Sequence, residues 1–242
     1  MRRVFAFICL LLISGSIAAQ KSPFRIKTAH LTGNIYVYTS YGEFNNTVYA
    51  ANAVYALTDS GVVIIDTPWS EDQTQQLLDT IEQRHHLKVI ACIVTHFHED
   101  RTAGLNVMKK HGVITYSTAL TKELCKEHNN PQAERTIRND VHHNIDGLKL
   151  QTFFPGEGHS KDNIVVWFPQ SKVLYGGCFI KSAEAKDIGN VADGNVKAWP
   201  ASLARVKKQF PNPKYVIPGH DDWHGTVKAI MGRTTELVNQ QR

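Results

Sequence analysis

Two histidines one residue apart, with a carboxylate two positions further on, stand in the stretch Thr95-His96-Phe97-His98-Glu99-Asp100-Arg101. Imidazole and carboxylate are ordinary donors for zinc and its first-row neighbours. The spacing also selects a backbone. On a helix, residues i and i+2 point about 200° apart, so His96 and His98 converge on one ion only from a loop. The apolar run Val89-Ile90-Ala91-Cys92-Ile93-Val94 just before them reads as a buried strand, which places the motif in a loop at a strand end.

Three later strand ends each carry one more donor behind a glycine. Gly156-Glu157-Gly158-His159 follows a strand ending at Phe154, Gly176-Gly177-Cys178 follows Lys172 to Tyr175, and Pro218-Gly219-His220 follows Tyr215 to Ile217. Glycine lets the chain turn sharply and lets backbone and ion approach closely. The donors then make two sets of three: His96, His98 and His159 as an all-imidazole set, and Asp100, Cys178 and His220 as a mixed one. Three protein donors with an open position are the usual complement of a catalytic zinc, and a cysteine selects zinc over magnesium or calcium. The other histidines, including His85, His86, His142 and His143, lack this context and read as surface or helix residues.

The elements that must position these strand ends alternate in type. Phe24 to Leu57 reads as an antiparallel meander, with Thr32-Gly33-Asn34 as a tight turn and Tyr41 to Thr47 as a mobile hairpin tip carrying Phe44. Val62 to Ile65 is a strand that runs into Asp66-Thr67-Pro68-Trp69. A helix capped by Ser70, acidic in its first turn, extends to about His85. Helices are expected over Ala103 to Lys110, Ala119 to Glu127, Val196 to Gln209 and Thr226 to Asn239. Strands are expected at Val113 to Tyr116, Leu148 to Phe154, Ile164 to Phe168, Lys172 to Tyr175 and Tyr215 to Ile217. Helices interleaved with strands imply a layered α/β architecture.

The 242-residue chain begins as a secreted protein does. Arg2 and Arg3 precede the apolar run Val4 to Ile13, and the small residues Ser14 to Ala19 supply a cleavage region, so residues 1–19 read as a signal peptide. The apolar run is shorter than the ~20 residues a spanning helix needs. Residues 20–242 contain no linker or low-complexity tract and read as a single domain of sufficient length for one large core. The formal charge of +5 is scattered rather than clustered, which excludes a nucleic-acid surface and mildly favours anionic small substrates. Cys92, Cys125 and Cys178 remain after cleavage, an odd number; a Cys92–Cys125 bridge is left open.

The set His96-x-His98-x-Asp100, Gly158-His159, Gly177-Cys178 and Gly219-His220, in this order and at these separations, resembles the class B β-lactamases of subclass B1, the di-zinc metallo-β-lactamases. The likeness extends over the mature chain, including Asp66-Thr67-Pro68-Trp69, Asp162 to Trp167 and Gly176 to Lys181. Related families resemble one another in carrying a histidine directly after the aspartate; here that position is Arg101, and a cysteine enters the second set.

The resemblance implies an αββα sandwich with the metals at one edge of the two sheets. It implies two Zn²⁺ per monomer: one at His96, His98 and His159 holding a hydroxide nucleophile, one at Asp100, Cys178 and His220 beside the lactam nitrogen. Asp100 would also orient the nucleophile. Lys181 corresponds to the lysine that binds the substrate carboxylate, Asn190 to the asparagine that supports the developing oxyanion, and Phe44 to the apolar tip that closes over substrate. Asp66 and Arg101 read either as residues that orient the ligands from behind or as a buried structural pair. The implied activity is hydrolysis of penicillins, cephalosporins and carbapenems by a periplasmic monomer, conferring antibiotic resistance. Two other readings of the residues remain: a lactone or thioester hydrolase on the same scaffold, and a secreted zinc-binding protein without catalysis.

Overall fold

The computed structural model describes residues 23–241, and the expected signal peptide lies outside them. Alternating apolar segments pair into two sheets. The first has seven strands in sequence order: β1 (Lys27–Thr32), β2 (Ile35–Phe44), β3 (Thr47–Leu57), β4 (Val62–Ile65), β5 (Val89–Ile93), β6 (Ile114–Ser117) and β7 (Arg135–Thr136). β1 to β4 are antiparallel and β4 to β7 parallel. Parallel neighbours need a crossover, and helices supply it. These are α1 (Glu71–His85), the short α2 (Glu99–Thr102) with α3 (Leu105–Lys110), and α4 (Ala119–Glu127).

The second sheet has the order β12 (Tyr215–Pro218), β11 (Val173–Gly177), β10 (Val165–Phe168), β9 (Leu148–Phe153) and β8 (Val141–Ile145). Its one parallel pair, β11 with β12, is joined through α5 (Trp199–Gln209), and α6 (Val227–Asn239) follows. No helix among the described residues is long and apolar enough to cross a membrane.

Burial fixes the layers. β4 and β11 are buried at every residue, as strands covered on both faces must be. Val37, Val54 and Ile64 of the first sheet share one core with Leu150, Val166 and Ile217 of the second, and Leu77 and Ile81 of α1 join it. A second core packs Val165, Leu174 and Val216 under Leu203 and Val206 of α5 and Ile230 and Leu237 of α6. The result is the expected αββα sandwich. The two sheets meet where Asn52 N donates to Gly219 O at 2.8 Å and Ala51 bridges His220.

Several expected boundaries shift, each for a local reason. Helix begins inside the His-x-His-x-Asp stretch, so Asp100 and Arg101 sit on α2 and only His96 and His98 belong to the loop. Gly176 and Gly177 are the last residues of β11 rather than a loop after it. α5 starts at Trp199 instead of Val196, with Pro200 in its first turn; a start at Val196 would drive the proline ring into a carbonyl one turn back. The supposed hairpin loop is a ladder that continues to Phe44 opposite Thr47, closed by Asn45 and Asn46 at φ 50° and 58°, the left-handed pair that a tight hairpin turn requires. β8, carrying His142 and His143, was not expected at all. It pairs with β9 across the Asp146-Gly147 turn. Cys92 and Cys125 are both free, so no bridge joins them.

Candidate metal centre

Every donor singled out in the sequence arrives at one end of the sandwich, but by different routes. β4 ends at Asp66, whose φ of 65° turns its carboxylate toward the neighbouring strand. There it accepts hydrogen bonds from Thr95 N (2.6 Å) and Thr95 Oγ1 (2.9 Å), and so fixes the residue just before His96. His98 stands at the N-cap position of α2, and Asp100 lies in that helix's first turn. Gly177, at φ 52°, bends the chain out of β11 to deliver Cys178. Gly219 packs so closely that an added Cβ would lie 2.5 Å from Cys178 N, which brings His220 alongside the cysteine.

Ligand atoms of His96, His98 and His159 lie within 4.8 Å of one another, and so do those of His96, Asp100 and Cys178. His220 joins the second group, with Nε2 3.1 Å from Cys178 Sγ and 3.3 Å from an oxygen of Asp100. His98 Nδ1 and His159 Nε2 are 3.2 Å apart. Two donors about 2.0–2.1 Å from a tetrahedral zinc would stand roughly 3.3 Å apart, so these separations fit the ion. His96 Nε2 is buried without a hydrogen-bond partner, a costly arrangement for an imidazole nitrogen unless a cation meets it. The residues therefore fit a divalent metal.

Electrostatics prepare the donors. Burial, with charge repulsion from neighbouring histidines and from Lys181 at His159, holds the pKa of His96 and His159 well below the ordinary range. Both are neutral at pH 7, the form that ligates. Burial opposes the charge on Asp100, but the Arg101 guanidinium and the His220 hydrogen bond outweigh it and keep the carboxyl well below its usual range. His220 Nδ1 faces Ala50 O at 2.9 Å and His98 Nε2 faces Asp193 Oδ2 at 3.1 Å. In each ring the outer nitrogen is thus committed to an acceptor, which aims the other nitrogen at the site.

Arg101 binds the second group from behind. Its Nη2 donates to Cys178 Sγ at 2.9 Å and to Gly219 O at 2.9 Å, its Nη1 to Asn52 O at 2.8 Å, and its Nε lies 3.0 Å from Asp100. Asp66 reaches the same network through Tyr175, whose hydroxyl donates to Asp66 at 2.7 Å.

Of the expected substrate groups, Lys181 stands near this centre, close enough for its charge to act on His159. Lys181 is buried; a Cβ placed on Gly189 would lie 3.6 Å from its Nζ, so the loop carrying Asn190 passes beside it. Asn190 is exposed, and its Oδ1 accepts from Ala192 N at 3.0 Å. Phe44 stands half-exposed at the end of the β2–β3 ribbon. Sequence reasoning missed Asp193, Tyr175 and Asn52. Asp193 sits in an ordinary-looking Ala-Asp-Gly turn, and the other two are strand residues without a motif. Only tertiary proximity marks them.

Residues 46–220 match the family model described as the metallo-beta-lactamase superfamily. The chain is 43% identical over 221 residues to the metallo-beta-lactamase type 2 of Elizabethkingia meningoseptica, covering 91% of this chain and 88% of that one. It is 38% identical over 235 residues to metallo-beta-lactamase IND-1 of Chryseobacterium indologenes, covering 97% of each. The crystal structure of metallo-beta-lactamase IND-7 superposes with a TM-score of 0.84 at 38% identity, covering 88% of this chain and 98% of that one. A metallo-beta-lactamase from Pontibacter korlensis superposes with a TM-score of 0.85 at 33% identity, covering 89% of this chain and all of that one.

Proposed function

The chain belongs to the metallo-beta-lactamase superfamily, and we propose that it is a subclass B1, two-zinc enzyme that hydrolyses penicillins, cephalosporins and carbapenems. The observation that carries this reading is the composition of the second ligand group. A cysteine, an aspartate and a histidine stand beside three histidines, with one arginine hydrogen-bonded to Cys178 and ion-paired with Asp100.

His96, His98 and His159 would hold one zinc, and Asp100, Cys178 and His220 the other. Bound there, zinc would supply a water acidified toward a pKa of ~7 and a Lewis acid for the departing nitrogen. The chain's own groups do the rest. Asp100 Oδ1 lies 4.0 Å from His96 Nε2, between the two sets, where it can accept a hydrogen bond from the attacking water and orient it. Arg101 keeps Asp100 ionised and in place. Lys181 binds the carboxylate beside the lactam nitrogen. With Asn190 Oδ1 committed to Ala192 N, the Asn190 amide N–H is left to meet the lactam oxygen as charge develops there. Phe44 offers apolar contact from the ribbon tip. The enzyme acts in the periplasm as a monomer, after removal of residues 1–19 from the single domain 20–242, and confers resistance there.

Purified mature protein should hydrolyse a chromogenic cephalosporin, lose that turnover in a chelator and regain it with added zinc. A folded, zinc-loaded protein inert toward every β-lactam class, but active on lactones or thioesters, would overturn the substrate assignment.

A further inference from the structure

Lys181 is held in an unusual way for a buried cation. Its backbone is clamped to α6, where Lys181 N donates to Thr234 Oγ1 at 3.0 Å and Thr234 Oγ1 donates to Lys181 O at 3.2 Å. The residue is only 7% exposed, yet no carboxylate among the described residues forms an ion pair with it. The ammonium instead lies over the indole of Trp199, 5.2 Å from the ring centroid.

Trp199 is itself immobilised. It is fully buried at the start of α5, its Nε1 donates to Phe179 O at 3.2 Å, and its ring packs against Phe179 at 5.8 Å and His159 at 6.1 Å between centroids. An aromatic face attracts a cation through its quadrupole without carrying a charge of its own. A carboxylate in the same place would also hold the lysine, but it would cancel the field an anionic ligand needs.

We propose that Trp199 is a positioning residue for substrate recognition: its ring fixes the Lys181 ammonium while leaving the full positive charge for the substrate carboxylate. The inference rests on the β-lactam reading above and deepens it, since it assigns carboxylate specificity to a residue that touches no substrate.

The test uses zinc-loaded enzyme with a chromogenic cephalosporin and the methyl ester of the same compound. In Trp199→Leu, which keeps an apolar wall and removes the quadrupole, KM for the acid should rise about five- to thirtyfold, the range a desolvated cation–π contact supplies. kcat should hold within about twofold, and KM for the ester should stay unchanged. Phenylalanine at the same position should give an intermediate rise. Site-specific fluorinated tryptophans at 199 keep the shape and weaken the ring's field in steps, so KM for the acid should climb with each fluorine even if the leucine variant fails to fold. Equal movement of acid and ester, or a KM indifferent to fluorination, would show a merely structural tryptophan and overturn the inference alone. Absence of wild-type turnover on any β-lactam would overturn the substrate reading and this inference with it.

Discussion

At the scale of single residues, Asp66 shows how a group outside the ligand set bears on the site. It is fully buried and accepts from Thr95 and Tyr175, and Arg101 lies 3.8 Å away. Burial raises its pKa to about 6, against the opposing pull of Arg101 and those hydrogen bonds. The unfolded chain titrates near 4, so between about pH 4 and 6 the folded state binds the extra proton. The stability Asp66 contributes is therefore fully present below about pH 4 and is lost as pH rises through 6. With a chelator present to remove metal linkage, the stability advantage of wild type over Asp66→Asn in urea should shrink by roughly 3 kcal/mol from pH 4 to 7. A gap independent of pH would show that Asp66 does not titrate in this window. The sequence marked Asp66 as a strand-end carboxylate; its acceptance of Thr95 N, 29 residues away, could not be read there.

At the scale of elements, α2 carries the residue that fastens the sheets together. Arg101 reaches Asn52 O on β3, Tyr175 on β11 and Gly219 O beyond β12. The guanidinium suits this because its rigid fork presents several donors at once, which a lysine ammonium cannot match. Arg101→Leu would leave the buried carboxylates of Asp66 and Asp100 without their cation, a loss of about 3–5 kcal/mol. Arg101→Lys should retain charge and fall between leucine and wild type. Urea unfolding midpoints decide the matter, and a leucine variant within about 1 kcal/mol of wild type would remove the stapling role. The same helix illustrates a limit of periodicity: its first turn is too short for a pattern to reveal, whereas the 15 residues of α1, with their Ser70 cap, were legible.

At the scale of the whole molecule, the proposed zinc sites draw donors from both halves of the sandwich. His96, His98 and Asp100 follow β5 of the first sheet, while His159, Cys178 and His220 follow strands of the second. An ion held by both halves binds only the folded state and must stabilise it by mass action. With zinc a thousandfold above its dissociation constant the effect is ~4 kcal/mol, so chelation should lower Tm by roughly 10 °C in a domain of this size. An unchanged Tm after complete zinc removal would mean that the sites are organised without contributing to the fold.

What the sequence determined by itself was the inventory and its order: a strand ending in His-x-His-x-Asp, then strand, glycine, donor three times over, together with the capped helices and the layered class that follows from strands interleaved with helices. Those features are local, set by side-chain period, by glycine's freedom to turn and by donor chemistry, so neighbours along the chain suffice to read them. The tertiary structure alone decided which residues stand behind the donors. Asp193 against His98, Tyr175 against Asp66 and Trp199 under Lys181 are separated along the chain by anything from 18 to 109 positions. Such pairs meet because two sheets close on a shared core, and no spacing in one dimension records that closure.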